Sequence, residues 1–254
     1  MEGQLKRLLQ SILAFTLCVG GCSSVQEITV QEVPPTTIEK QYFKDISNSD
    51  LFPEVGSIRD VEGNLIGSGV LIAPNAVLTA GHVIDDTGAF MFRIGQWDVM
   101  IKETILHPRY SGNWGIHNDI GIVFLECDVE DITPARVHEG GILQQGSPLI
   151  TVGYSRGFKK QSMPETFFYY GTLLEDLSQI KFLPLKDTIW FGDSGGAVYS
   201  VVNGQFVLVG VMSHFSMRDK IIYENSATKV QFYQKWIKEV LSGAEVVEGV
   251  GVVK

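Results

Sequence analysis

Cysteine is scarce in this chain of 254 residues, which has three, at positions 18, 22 and 127. Two of them lie near the N-terminus, so a framework of disulfides cannot stabilise a domain of this size. We therefore expect a fold held by packing, for which 44% hydrophobic residues over this length are ample. Cys127 follows an apolar run and is expected to be a small core residue.

Positive charge is also scarce. The chain has 20 Lys and Arg against 29 Asp and Glu, a net charge of −9 at pH 7, and no basic cluster longer than Lys159-Lys160. Proteins that bind nucleic acid need a basic face, so we exclude that class. No metal site or cofactor is predicted, because His107, His117 and His138 show no ligand spacing.

An apolar run long enough to cross a bilayer is missing near the N-terminus. Residues 8–19 follow two basic residues and span 12 positions, against the ~20 that a membrane span needs. A charged start, a short apolar run and small residues are typical of an export signal. The sequence V-G-G-C at 19–22 resembles the bacterial lipoprotein box, with cleavage before Cys22 and lipid on its thiol. An ordinary secretory signal cut near Ser23, or an uncut anchor, are the alternatives.

These features predict a division of the chain into four parts. Residues 1–21 are the signal peptide, 22–45 a polar tether, 46–242 the folded domain and 243–254 a flexible tail. A strand over residues 27–33 is the alternative for part of the tether. Lipid on Cys22 implies attachment to a bacterial envelope membrane, facing the periplasm or in the outer membrane if the cell is Gram-negative.

One stretch places a serine among glycines, G-D-S-G-G at 192–196. Glycine has no Cβ, so the backbone can turn tightly and leave its N–H groups open to a ligand. Converging N–H groups can receive a negatively charged oxygen. Asp193 can hydrogen-bond within the loop, and Ser194 is then an exposed nucleophile that needs a base. The alternative is a glycine-rich turn without chemistry.

The candidate base and a third group lie upstream. An apolar strand ends in the small-residue turn T-A-G-H, whose histidine is His82, and Asp119 begins the β-rich run D-I-G-I-V-F-L. A lone histidine is more often structural. The order His82, Asp119, Ser194 and the three local patterns, however, resemble the chymotrypsin (trypsin-like) serine peptidase family, in which T-A-A-H, D-I-A-L and G-D-S-G-G follow in that order.

The resemblance covers residues 46 to about 241 and implies an all-β fold. That fold has two antiparallel six-stranded β-barrels followed by a short C-terminal helix. Animal members usually carry a cysteine after the histidine, where this chain has Val83. The departure indicates a bacterial member that relies on packing rather than disulfides.

Local patterns predict the individual elements. Alternation and turn residues predict strands over 67–72, 76–80, 89–94, 99–106, 120–126, 148–154, 166–174, 180–185, 197–202 and 205–213. Apolar spacing over 230–241 predicts a terminal helix lying on the core.

The resemblance implies the catalytic roles. Ser194 attacks a carbonyl carbon, His82 transfers the proton and Asp119 orients His82. The N–H groups of Gly192 and Ser194 form the oxyanion hole.

Substrate-binding positions are also implied by the resemblance. Ser213 matches the serine that bonds the triad acid, Thr188 the base of the specificity pocket, and Phe215 a pocket wall where the family usually has glycine. These residues predict a small, uncharged pocket that disfavours Lys and Arg and accepts Ala, Val or a small polar residue. Asp187 is the residue before Thr188, and a shift of the alignment by one residue could still place it inside the pocket.

Activation by a new N-terminus is not predicted. In the family's animal zymogens the acid that matches Asp193 pairs with a newly cut N-terminal amine, and no I-V-G-G-like end is present near residues 56–58. We expect an enzyme that is active without this cleavage, with Asp193 held by its own loop or by another side chain.

The sequence thus predicts a serine endopeptidase that cleaves a protein or peptide substrate through an acyl-enzyme. Two other functions stay open. One is a peptidase-like binding protein with weak or lost catalysis, and the other is an esterase that uses the same triad. The physiological substrate and the oligomeric state are not predicted.

Overall fold

The computed structural model describes residues 43–112, 117–140, 143, 146–155, 158–162, 167–173, 176–182, 189–219 and 221–243. The predicted signal peptide, the lipidation site Cys22 and all but the last three residues of the predicted tether lie outside these residues. Thr188, Asp187 and nearly all of the predicted tail also lie outside them.

The described residues form strands and three short helical segments. The first seven strands are β1 (Phe43–Asp45), β2 (Val55–Arg59), β3 (Leu65–Ala73), β4 (Ala76–Thr79), β5 (Met91–Ile94), β6 (Trp97–Leu106) and β7 (Gly121–Leu125). The next seven are β8 (Pro148–Ser155), β9 (Phe158–Ser162), β10 (Phe167–Leu173), β11 (Asp176–Phe182), β12 (Ala197–Val202), β13 (Gln205–Arg218) and β14 (Ile221–Lys229). The helical segments are Gly81–Ile84, the 3₁₀ turn Val230–Tyr233 and the helix Gln234–Leu241.

The first half of the domain is a closed antiparallel barrel with the strand order β2-β3-β4-β7-β6-β5. Strands β2, β4 and β7 are buried on both faces over almost their whole length. The interior of the barrel is filled by side chains such as Ile58, Leu71, Phe92 and Val123. The predicted hairpin that carries His82 is confirmed as β3 and β4, with Leu71 opposite Val77.

The second half is an eight-stranded antiparallel sheet in the order β1-β9-β8-β10-β11-β14-β13-β12. An additional pairing of β8 with β12 joins six of these strands in a ring. Strands β9 and β1 lie beyond the ring, because β8 pairs with β10 at Pro148 and Leu149 and with β9 from Val152 onward. The all-β fold with a terminal helix is therefore confirmed, and the second unit carries two strands more than the six predicted.

A shared apolar core joins the two halves. It includes Val70 and Ile122 from the first half and Val152 and Leu208 from the second. The terminal helix buries the apolar face that the spacing predicts, made of Trp236, Ile237 and Val240. One expectation is wrong, because Cys127 lies just past the end of β7 and is exposed rather than part of the core.

Candidate active site

His82 and Asp119 meet at one end of the first barrel. Thr79 at the end of β4 is paired with Gly121 at the start of β7, so the residues just beyond this pair lie side by side. Asp119 Oδ2 lies 2.9 Å from His82 Nδ1, and Asp119 Oδ1 accepts the backbone N–H of His82 at 2.9 Å. The His82 ring is thereby oriented with Nε2 facing away from Asp119.

Asp119 is buried, with 1% of its surface exposed, and is surrounded by donors. Ser213 Oγ donates to its Oδ2 at 2.5 Å, from strand β13 of the other half. Burial raises the pKa of this carboxyl, but the hydrogen bonds from His82 and Ser213 outweigh burial and hold the pKa below its usual value. Asp119 is therefore ionised at neutral pH and stabilises a positive charge on His82.

The serine loop, residues 190–196, is a tight turn that leads into the buried strand β12. Asp193 N–H donates to the Trp190 carbonyl at 3.0 Å, and Gly196 N–H donates to the Asp193 carbonyl at 2.9 Å. Gly192 has φ +96° and Gly195 has φ +79°, values that favour glycine. A Cβ on Gly195 would also overlap Thr79 Oγ1 and the Ser68 carbonyl oxygen, so the loop has no room for a larger residue there.

Two N–H groups of this loop are open. Within the described residues, those of Gly192 and Ser194 donate to no protein acceptor. The Ser194 hydroxyl likewise makes no hydrogen bond to any part of the chain that is described, His82 included. Catalytic contacts of this kind are often long until a substrate is bound. The loop thus presents two donors beside a nucleophile, as an oxyanion hole requires.

Ser68 on β3 connects the first barrel to the serine loop. Its hydroxyl donates to the Gly192 carbonyl at 2.7 Å and accepts Tyr154 N–H at 2.8 Å. Its own N–H donates to the Ser194 carbonyl at 2.8 Å. With both carbonyls engaged, the serine loop is anchored to β3 at Gly192 and at Ser194. The sequence analysis missed this residue, which lies in the G-S-G of the histidine hairpin.

His82 and Ser194 line one cavity of about 530 Å³. Aromatic rings crowd its mouth: Trp190 stacks on Phe215 with centroids 6.1 Å apart, and Phe191 lies edge-on to both. Phe191 is largely exposed to solvent, at 69%. Phe215 therefore lies at the cavity wall, where the sequence analysis placed it, and takes part in an apolar cluster with two loop residues.

A buried cation lies behind the cavity wall. Ser226 on β14 lines the cavity and is paired with His214 on β13 and Lys181 on β11. Lys181 Nζ donates to Ser226 Oγ and lies 3.0 Å from Glu224 Oε1. Burial, together with the Lys181 charge, lowers the pKa of His214. Sequence reasoning missed Lys181, since nothing local distinguishes it from a surface lysine.

Asp193 points away from the cavity. Its Oδ2 accepts the Trp190 N–H at 2.7 Å, so the carboxylate closes its own loop as the sequence predicts. The same oxygen lies 2.6 Å from Lys160 Nζ, in a pair with side chains 4% and 1% exposed. Asp193 is thus held both by its own loop and by another side chain, the two possibilities that were left open.

The structure brings together His82, Asp119, Ser194, Gly192, Ser213 and Phe215 around one cavity. In the part of the chain that is described, no three His, Cys, Asp or Glu side chains are grouped as a metal site. No helix among those residues is both long and apolar enough to cross a bilayer.

Known proteins resemble this chain over most of its length. The sequence profile of the family named Trypsin matches residues 44–237. Chymotrypsin-like elastase family member 1 of Macaca fascicularis is 24% identical over 207 residues, which is 68% of this chain and 78% of that protein. Vitamin K-dependent protein C of Rattus norvegicus is 24% identical over 224 residues, 74% of this chain and 48% of that protein. The solved structure of neuropsin, a serine protease expressed in the limbic system of mouse brain, superimposes with a TM-score of 0.62 at 19% identity, covering 75% of this chain and 95% of that one.

Proposed function

This chain belongs to the trypsin family and is a trypsin-like serine endopeptidase, and we propose that Ser194, His82 and Asp119 are its catalytic triad. The observation that carries the assignment is the buried Asp119, which fixes the ring of His82 while His82 and Ser194 face the same cavity. The open N–H groups of Gly192 and Ser194 support the assignment of the oxyanion hole.

The reaction follows from this geometry. Ser194 Oγ attacks the carbonyl carbon of the substrate while His82 Nε2 takes its proton, and the carbonyl oxygen gains a negative charge that the two N–H groups stabilise. His82 then gives the proton to the leaving amine as the C–N bond breaks. Water then attacks the ester carbonyl of the acyl-enzyme and gives a proton to His82 Nε2, which passes it to Ser194 Oγ as the ester C–O bond breaks and the acid leaves. Asp119 stays ionised and stabilises the protonated imidazole.

We infer a specificity pocket that rejects Lys and Arg side chains. Phe215 takes up space where a glycine would leave room, and its ring is held by Trp190. The Glu224 carboxylate near this wall is already paired with Lys181, 3.0 Å away, so it does not attract a second cation. Small side chains such as Ala or Val, or a small polar one, fit this wall. A peptide library cut rapidly after Arg or Lys would contradict the assignment of Phe215 and Lys181.

Attachment to a bacterial envelope membrane is the remaining part of the proposal. It is supported by the V-G-G-C box behind a short apolar run at the N-terminus. Several acyl chains on Cys22 would hold the protein on a membrane surface, at ~0.8 kcal/mol per buried CH₂. Mass spectrometry of the mature N-terminus and fractionation test it: Cys22→Ser should abolish lipidation and membrane association, and unchanged processing and fractionation would contradict lipidation.

Labelling with a fluorophosphonate probe tests the triad. The folded wild type should label on Ser194, Ser194→Ala should not label, and peptide turnover should be lost with it while the unfolding midpoint stays near that of the wild type. Near-normal turnover in Ser194→Ala would overturn the triad. A wild type that does not label beside a labelling control peptidase would favour the binding protein, and hydrolysis of esters without peptides would favour the esterase.

A further inference from the structure

Lys160 and Asp193 form a fully buried ion pair behind the serine loop. Nζ and Oδ2 are 2.6 Å apart, and neither side chain is more than 4% exposed. Asp193 lies between Gly192 and Ser194. The open N–H of Ser194 is in the peptide plane that follows the Asp193 Cα, and the open N–H of Gly192 is one Cα further back. A displacement of the Asp193 side chain therefore moves both oxyanion donors.

The sheet is shaped to receive this carboxylate. Lys160 on β9 is the register partner of Gly153 on β8. A Cβ on Gly153 would lie 2.9 Å from Asp193 Oδ1 and 3.2 Å from its Cα. The absence of a side chain at position 153 thus opens the space beside Lys160 into which Asp193 inserts.

Burial alone would drive the carboxylate out of this space. Burial raises the pKa of Asp193, and the charge of Lys160 opposes that effect. Without the ammonium, the carboxylate would have to take up a proton or turn towards solvent. Turning towards solvent would break its bond to the Trp190 N–H and rotate the peptide planes on both sides of Asp193.

We propose that Lys160 is a positioning residue that holds the oxyanion hole in its active arrangement through Asp193, so that the chain is active without a newly cut N-terminus. The proposal rests on the proposed function, since it assigns a role in the reaction of Ser194. The cation is supplied from within the folded chain, by a strand that pairs with both β8 and β1. Activity should therefore not depend on which residue begins the chain.

The test variant is Lys160→Met, and Lys159→Met is its matched control. Lys159 is the preceding residue on β9 and is also buried, at 6% exposed, but its Nζ donates to the Phe52 carbonyl at 2.6 Å. It has no contact with Asp193 among the described residues, because successive side chains of a strand point to opposite faces. Both variants remove one buried ammonium from the same strand, and only one of them reaches the serine loop.

The test is steady-state kinetics on a peptide substrate with the full chain. Lys160→Met should lower kcat about 10²- to 10³-fold, as loss of an oxyanion donor does, with KM changed by less than about threefold because the loop's N–H groups act mainly on the transition state. Lys160→Arg should restore most of kcat, and Lys159→Met should keep kcat within about threefold of the wild type.

Folding is separated from positioning by a second variant. If Lys160→Met fails to fold, the double variant Lys160→Met with Asp193→Asn leaves no unpaired charge behind the serine loop, and its amide oxygen can still accept the Trp190 N–H. This double variant should fold, with a kcat below that of the wild type because the neutral amide lacks the attraction that holds the carboxylate at Lys160. Wild-type kcat in either variant, equal losses in Lys159→Met and Lys160→Met, or activity only after cleavage of the chain would overturn the proposal. A wild type whose turnover does not depend on Ser194 would instead overturn the proposed function.

Discussion

Two buried aspartates flank the candidate nucleophile and are held in different ways. Asp119 receives hydrogen bonds from neutral donors and from His82, all of them within 3.1 Å. Asp193 is paired with the full charge of Lys160 and packed against a glycine. The first arrangement leaves the carboxylate ionised and able to respond to a charge on His82, whereas the second fixes the carboxylate in place. A group that stabilises a changing charge is thus held by dipoles, and a group that fixes a loop is held by a charge.

The largest expected effect comes from Asp119→Asn, which removes the carboxylate that responds to the charge on His82. Asp119→Asn keeps the shape but offers an amide N–H₂ where His82 needs an acceptor, so it favours the wrong tautomer of the ring. In the Ser-His-Asp triad this change lowers kcat by about 10⁴-fold. We expect a loss of that size in peptide turnover from a variant that still folds. Turnover within tenfold of the wild type would show that Asp119 does not set the tautomer.

Crowding around the serine loop is tested by Gly195→Ala. The new methyl would overlap Thr79 Oγ1 and the Ser68 carbonyl at a φ of +79°, and we expect a loss of about 3 kcal/mol or more in the free energy of unfolding. Gly204→Ala is the matched control, because its φ is +76° and nothing lies within 4 Å of the added atom. The control should cost about 1 kcal/mol. Equal losses in denaturant unfolding would mean that the loop is not crowded.

Ser213→Ala tests how much a neutral donor contributes to holding Asp119. The change removes a hydrogen bond to a charged group, worth about 1.5–3 kcal/mol at neutral pH. The folded-state pKa of Asp119 is lowered, so the contribution of this bond is present above the ordinary pKa of 3.8 and is lost as pH falls through the lowered value. The difference in unfolding free energy between Ser213→Ala and the wild type should therefore shrink on acidification. A difference that is constant down to pH 2 would contradict this origin.

The same contrast explains what could be predicted from the sequence. The triad and its strands have local signals: a glycine-rich turn, an apolar hairpin, and an acid before a β run. Strands β9 and β14 were not predicted, since their sequences F-K-K-Q-S and I-I-Y-E-N-S-A-T-K are largely polar. They can be buried because their polar groups find partners far along the chain, as Lys160 does at Asp193 and Thr228 does at the Asp119 carbonyl. No local pattern predicts such a partner.

The smallest expected effect concerns the support beneath Asp119. Asn118, the residue before it, has φ +54°, and its Oδ1 accepts the Tyr233 hydroxyl at 3.1 Å. The ring of His107 packs edge-on to Tyr233 and edge-on to Trp236, with ring centroids 5.0 and 5.1 Å away. Burial, aided by Arg109, lowers the pKa of His107 from 6.5 to about 4. His107 therefore supports the turn as a neutral ring.

His107→Phe should keep this packing and remove the proton site. Between pH 6.5 and about 4 the unfolded chain binds a proton at His107 that the folded chain does not, so wild-type stability falls as pH is lowered through this window. The variant lacks that loss. The unfolding midpoint of the variant minus that of the wild type should rise by a few degrees from pH 8 to pH 4 and should not change further below pH 4. A difference that is constant with pH would show that His107 titrates alike in the folded and the unfolded chain.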